Sequence, residues 1–173
     1  MGQVLTRQEV LHLIGQSPPL VEGLRDPQAQ VQPNGVDLTL RQISTLESGG
    51  IISYDNRDRV LPDSSPLPPD SDGALDLKPG CYLVLYNEIV HLPTDIMALG
   101  FPRSSLLRCG ADIRTAVWDA GYSGRSQSLL FVHNPHGIRL QTDARVLQLV
   151  FFRLTGEVTE GYRGLFQNEN ISQ

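Results

Sequence analysis

From Leu5 to Ile14 the apolar residues fall at helical spacing. Val10, Leu11, Leu13 and Ile14 form a stripe behind Thr6 and Glu9, whose Ser/Thr-x-x-Glu spacing is that of a capping box. Pro18-Pro19 stops this helix. From Val31 to Leu40 the rhythm changes to period two: Val36, Leu38 and Leu40 alternate with Asp37 and Thr39 around a Pro33-Asn34-Gly35 turn, the pattern of a strand with one buried face. Further strand-like runs follow at Cys81–Tyr86, Glu88–Leu92, Ile96–Phe101, Thr115–Trp118, Ser128–Val132 and the long Arg145–Leu154. Short strands with turn signals between them predict a sandwich or barrel rather than βαβ units.

Composition agrees with that pattern. Gly (16) and Pro (12) are plentiful, and 173 residues suffice for one domain with a real core. A single unit over 1–173 is expected. Residues 55–73, rich in Asp, Ser and Pro, read as a surface loop, and 156–173 as a C-terminal tail.

The net charge of −5 argues against general nucleic-acid binding, which calls for a basic face. A small anionic ligand needs only a local cluster of arginine. Thirteen of the fourteen basic residues are Arg, which can fork two hydrogen bonds onto a phosphate. Two cysteines, Cys81 and Cys109, supply neither a disulfide framework nor a zinc set. No signal-peptide pattern and no membrane-length apolar run is present, so a cytoplasmic protein without membrane contact is expected.

Three segments carry more polar chemistry than a fold alone needs. In Gly100-Phe101-Pro102-Arg103-Ser104-Ser105-Leu106-Leu107-Arg108, Pro102 ends a strand. Arg103 offers a cationic fork, Ser104 and Ser105 offer hydroxyls, and Arg108 follows one turn later on the face of Ser104. The same residues also describe an ordinary helix start. In Thr115 to Gly124, Asp119 follows an apolar strand end and precedes Gly121, Tyr122 and Gly124, a tight hairpin presenting one carboxylate and one ring. That carboxylate can take a proton from water and the ring can pack on a sugar or base, although a plain Asp-containing turn looks the same. In Ala144 to Phe152, Arg145 and Gln148 interrupt a continuously apolar run and must find partners in the protein or in a ligand.

Taken in order, four segments resemble the motifs of the dUTPase/dCTP deaminase superfamily: Asn34-Gly35-Val36-Asp37-Leu38, Pro102-Arg103-Ser104-Ser105-Leu106, Val117-Trp118-Asp119-Ala120-Gly121-Tyr122-Ser123-Gly124 and Arg145-Val146-Leu147-Gln148-Leu149. The opening helix, Leu77-Lys78-Pro79-Gly80 and Tyr162-Arg163-Gly164 look most like the deaminase and archaeal side. The resemblance implies an all-β distorted barrel or jelly roll (a β-clip) with a short N-terminal helix, assembled as a homotrimer with active sites at subunit interfaces. It implies that Arg103, Ser104, Ser105, Arg108, Gln148 and Arg163 bind phosphates. Val117, Trp118, Asp119, Tyr122 and Tyr162 would surround the nucleoside, with Tyr122 under the sugar, excluding a 2′-hydroxyl. Asp119 would be the catalytic base, Mg²⁺ would arrive with the triphosphate, and Asp37 would arrange the metal's surroundings through water.

Both dUTP hydrolysis and dCTP deamination occur in that superfamily. Deaminases of this kind carry a Glu on the strand after the third motif. Here that strand, Arg125 to Asn134, contains no acid, and the chain lacks the His-x-Glu and Cys-x-x-Cys elements of zinc deaminases. The expected activity is therefore hydrolysis of dUTP to dUMP and pyrophosphate, with Asp119 as the lone acid of the site. The alternatives are a zinc-independent or bifunctional dCTP deaminase, and a non-catalytic nucleotide-sensing module.

Overall fold

The structure, a computed structural model, describes residues 3–172. Met1, Gly2 and Gln173, the ends of the expected 1–173 unit, lie outside the described residues. Its framework is a nine-stranded antiparallel sheet running Gln3–Val4, Arg145–Arg153, Gly35–Leu46, Gly80–Tyr86, Gln127–Val132, Ala111–Arg114. Ile96–Pro102 adds to the free side of Arg145–Arg153, and Val31–Gln32 and Ser64–Pro66 add to Gly35–Leu46. Register shifts at Leu40/Gln42 and Arg145/Leu147 mark β-bulges on the two longest strands. Each bulge adds bend and twist, which curls the sheet into a half-barrel.

Alternation drives this packing. Val36, Leu38, Leu40, Leu147, Leu149 and Phe151 are at most 0% exposed and form the centre of the core. Burying each contributes roughly 1.5–3 kcal/mol. The turn expected at Pro33-Asn34-Gly35 joins Val31–Gln32 to a strand that runs on to Leu46. Gly35 sits at φ +145, and a Cβ there would lie 2.2 Å from the Leu149 carbonyl oxygen, so only glycine lets the two strands meet.

The N-terminal helix spans Arg7–Ile14 with Thr6 as N-cap, and both arms of the capping box form. Val10 is buried and Leu11 exposed, so the apolar stripe is narrower than its spacing predicts. Residues 115–117, expected as strand, are irregular. The strand lies just before them, at Ala111–Arg114, and Trp118 makes only an isolated bridge with Ala98. Apolar content attracted the assignment there, but the Trp118 ring packs into the core without its backbone joining a ladder. Within 55–73, Asn56–Asp58 forms a 3-10 turn and Ser64–Pro66 returns the chain to the sheet. No helix among the described residues is long and apolar enough to cross a membrane.

Candidate active site

After Arg114 the chain leaves the sheet, exchanges two hydrogen bonds with Ala98 through Trp118, and turns at Asp119. The turn closes through Tyr122 N–H onto the Asp119 carbonyl at 3.0 Å, and Gly121 N–H donates to Leu92 O at 3.1 Å. Alternate side chains therefore face opposite ways: Trp118 and Tyr122 are buried, whereas Asp119 is exposed. Trp118 Nε1 donates to Ser126 Oγ at 3.0 Å, which satisfies the one polar atom on that ring.

The tail docks against this hairpin. Tyr162 N–H donates to Ala120 O (2.8 Å), Asn168 N–H to Ser123 O (2.7 Å) and Arg125 N–H to Glu169 O (2.9 Å). The Gln167 side chain bonds both Ser123 N–H and Gly121 O at 3.0 Å. Tyr162 meets the Tyr122 ring edge-on, with centroids 5.7 Å apart. Gly121, at φ +85, leaves room for this contact, since a Cβ there would fall 2.6 Å from Gly161 Cα.

Hairpin and tail enclose a cavity of about 530 Å³. Val117, Trp118, Asp119 and Tyr122 line it from one side, and Tyr162, Phe166 and Glu169 from the other. Leu61, Pro62 and Ser64 close a third side, so part of the loop expected at 55–73 forms a wall of the cavity. Arg59 stacks over the Phe166 ring at 5.6 Å, tying that loop to the tail. The volume suits a small organic molecule held by an aromatic floor and a few polar groups.

The residues expected to bind phosphate lie elsewhere. Arg103 precedes the short helix Ser104–Arg108, and Ser104, Ser105 and Arg108 are exposed. Gln148 is half-buried between Asp37 on one neighbouring strand and Phe101 on the other. None of Arg103, Ser104, Ser105, Arg108 and Gln148 lines the cavity. Arg163, also expected to bind phosphate, is exposed and not part of the lining, although its neighbour Tyr162 is.

Asp37 and Arg145 meet in one cluster with Arg103. The buried Asp37 carboxylate receives Arg103 Nε at 3.0 Å, Arg145 Nη1 at 3.3 Å and Gln32 Nε2 at 3.2 Å. Burial pushes its pKa up, and the two guanidiniums oppose that shift. Two guanidiniums thus share one buried carboxylate, which fixes the direction of the Arg103 side chain. Arg145 also donates to Ala29 O at 2.6 Å, so its polar head is satisfied within the fold. Among the described residues no group of three or more His, Cys, Asp or Glu could hold a metal ion.

Asp119 is not the only acid at the cavity. Glu169 lines it too, and accepts the Tyr122 hydroxyl at 2.8 Å. Burial raises the Glu169 pKa, against the pull of that hydrogen bond. No periodicity marks Glu169 in the polar tail. The one available signal was Gly124, which pairs with Glu169 and has no Cβ to block it. Gln127, from the strand that carries no acid, also faces the cavity.

Residues 4–154 match the family described as dCTP deaminase-like. A protein of Methanosarcina mazei is 50% identical over 98% of this chain and 99% of its own length, and one of Archaeoglobus fulgidus is 45% identical over 97% and 98%. Both bear the name "Probable deoxyuridine 5'-triphosphate nucleotidohydrolase". Among solved structures, the 2′-deoxycytidine 5′-triphosphate deaminase of Agrobacterium tumefaciens superposes with a TM-score of 0.67 at 20% identity. That match covers 88% of this chain but 48% of the deaminase, and it bears on the fold alone. A profile matched from residue 4 to residue 154, with relatives near half identity along their whole length, means that this chain belongs to the dCTP deaminase-like family.

Proposed function

We propose that the protein hydrolyses dUTP to dUMP and pyrophosphate. The observation that carries this is an exposed carboxylate, Asp119, at the edge of a nucleoside-sized cavity floored by Trp118 and Tyr122. The nucleotidohydrolase name of full-length relatives near 50% identity supports it.

The substrate is the magnesium complex of the triphosphate, the metal entering with the nucleotide and offsetting phosphate charge. A water held by Asp119 attacks the α-phosphorus in line. The new O–P bond forms as the bond to the bridging α–β oxygen breaks, pyrophosphate departs, and Asp119 accepts the water's proton. Arg103, Ser104 and Ser105 bind the phosphates and stabilise the charge that builds on them.

Within one chain the phosphate residues and the cavity are separate, which supports a trimer in which Arg103 of one subunit completes the Asp119 site of the next. Phe101 and Leu107, beside Arg103, and Val117, beside Asp119, are each about half exposed. Large apolar residues standing free next to both half-sites are what an interface would cover. A protein of 19.1 kDa should then sediment at three times that mass.

Purified protein given magnesium and dUTP should release pyrophosphate and dUMP. Ammonia from dCTP would instead indicate deamination, and binding without turnover a sensor. Hydrolysis is favoured because, among the described residues lining the cavity, the acid that the fold adds beside Asp119 is Glu169, and Tyr122 engages it.

A further inference from the structure

Tyr122 reaches across the hairpin to the tail in a way that its motif does not require. Its ring is buried, its edge packs on Tyr162, and its hydroxyl donates to Glu169 Oε1 at 2.8 Å. Gly124 makes that bond possible: a Cβ there would stand 2.5 Å from the Tyr122 hydroxyl oxygen and 3.2 Å from Glu169 Cγ. Glu169 is held in turn from both sides. Its carbonyl accepts Arg125 N–H, and the next residue, Asn170, donates through Nδ2 to Arg125 O and accepts from Arg125 Nε. The acid is thus fixed by backbone pairing before its side chain meets the phenol.

A tyrosine ring has two torsions, and edge packing against Tyr162 alone leaves room for it to tilt. A hydrogen bond to its far end removes that freedom. We propose that Glu169 is a positioning residue for sugar recognition, holding the Tyr122 ring in the orientation that excludes a 2′-hydroxyl and so setting the choice of deoxyribonucleotide over ribonucleotide. This rests on the reading of the cavity as the nucleoside site. Burial raises the pKa of Tyr122, which keeps the phenol protonated as donor. Glu169 touches no reacting atom in this scheme; it acts through Tyr122.

The test compares dUTP with UTP turnover, and dUMP with UMP affinity by calorimetry, in the full-length protein. Glu169→Ala should lower the preference for the deoxy form about tenfold, mainly by improving KM for UTP. Glu169→Gln, which still offers a carbonyl oxygen to the phenol, should keep most of the preference. Tyr122→Phe should lose as much as Glu169→Ala, and the double variant no more than either, because both break one link. Asn170→Ala, which removes one of the bonds to Arg125 that fix Glu169 but leaves the carboxylate in place, should lower the ratio in the same direction and by less than Glu169→Ala. Equal losses on both sugars, an unchanged ratio in Glu169→Ala, or additive losses in the double variant would overturn the inference. A wild-type protein that turns over no dUTP would overturn the hydrolase reading instead, and the dUMP/UMP affinity ratio would still decide the role of Glu169.

Discussion

Arg103 Nε lies 3.0 Å from Asp37 Oδ2, so the arginine nearest the start of the short Ser104–Arg108 helix is fixed by an acid on another strand. Arg145 reaches the same oxygen. Replacing Asp37 with Asn leaves two guanidiniums facing a neutral amide. Breaking a fully buried pair costs roughly 3–5 kcal/mol. Arg103 and Arg145 remain 29% and 36% exposed and can turn to water, so about 2 kcal/mol is expected here. Denaturant midpoints check this. A loss near zero would mean that the two arginines do not depend on Asp37. If Arg103 binds the triphosphate as proposed, Asp37→Asn should also raise KM for dUTP, because the released side chain is no longer held in place.

If Arg103 and Asp119 act from different subunits, two inactive variants should rescue each other. Arg103→Ala should weaken triphosphate binding about thirtyfold while barely changing affinity for deoxyuridine. Asp119→Asn should bind dUTP but turn it over at least a hundredfold more slowly. Unfolded and refolded together in equal amounts, the two should recover roughly a quarter of wild-type activity, since that share of interfaces pairs an intact Arg103 with an intact Asp119. No recovery on mixing would place both residues in one subunit's site.

Some of this was legible in the residues and some was not, for reasons that differ by element. The Val36–Leu38–Leu40 alternation and the greasy Arg145–Leu154 run predicted two strands that do pair, because burying one face or both leaves a strong periodic signal. Ala74–Leu77 and Ile138–Gln141 pair with each other far along the chain, and four-residue strands carry too little pattern to announce themselves. Within the candidate site, Trp118, Asp119 and Tyr122 reach one cavity because a single hairpin carries them. Glu169 carried no periodic signal of its own, because its place depends on a tail folding back onto Gly124. The arginine partners of Asp37 were hidden for a related cause: which charge it meets is decided by strand register, and register is tertiary.

The tail's dock should fail at one glycine. Gly121 sits at φ +85, and an alanine Cβ would lie 2.6 Å from Gly161 Cα and 2.9 Å from Tyr162 N. Gly121→Ala therefore combines backbone strain with a clash against main chain that cannot rotate away. The tail should lift, and trypsin should cut after the exposed Arg163 at least tenfold faster than in the wild type. Mass spectrometry of the fragments reads this directly. Unchanged cleavage would show that the tail leaves the hairpin readily without the substitution.

Glu88 supplies a pH test of the core. It is 1% exposed and accepts three hydrogen bonds, from Thr39 N–H at 2.8 Å, Thr39 Oγ1 at 2.7 Å and Gln30 Nε2 at 2.7 Å. Burial raises its pKa from the ordinary 4.5, and those bonds pull the other way without cancelling the shift. A raised folded-state value means that the folded protein keeps a proton which the unfolded chain has released. The stability linked to Glu88 is therefore fully present below about pH 4.5 and is lost as pH rises through the folded value. Glu88→Gln is neutral at every pH and removes that slope. It also sets an amide N–H₂ against one of the donors, so at about pH 4 it should be less stable than wild type by about 1–3 kcal/mol. From there to about pH 8 the gap should narrow, since only the wild type loses stability through this group. Melting temperatures of both proteins across that range measure the gap. A constant difference would show that Glu88 ionises alike in the folded and unfolded chains, with its hydrogen bonds offsetting its burial in full.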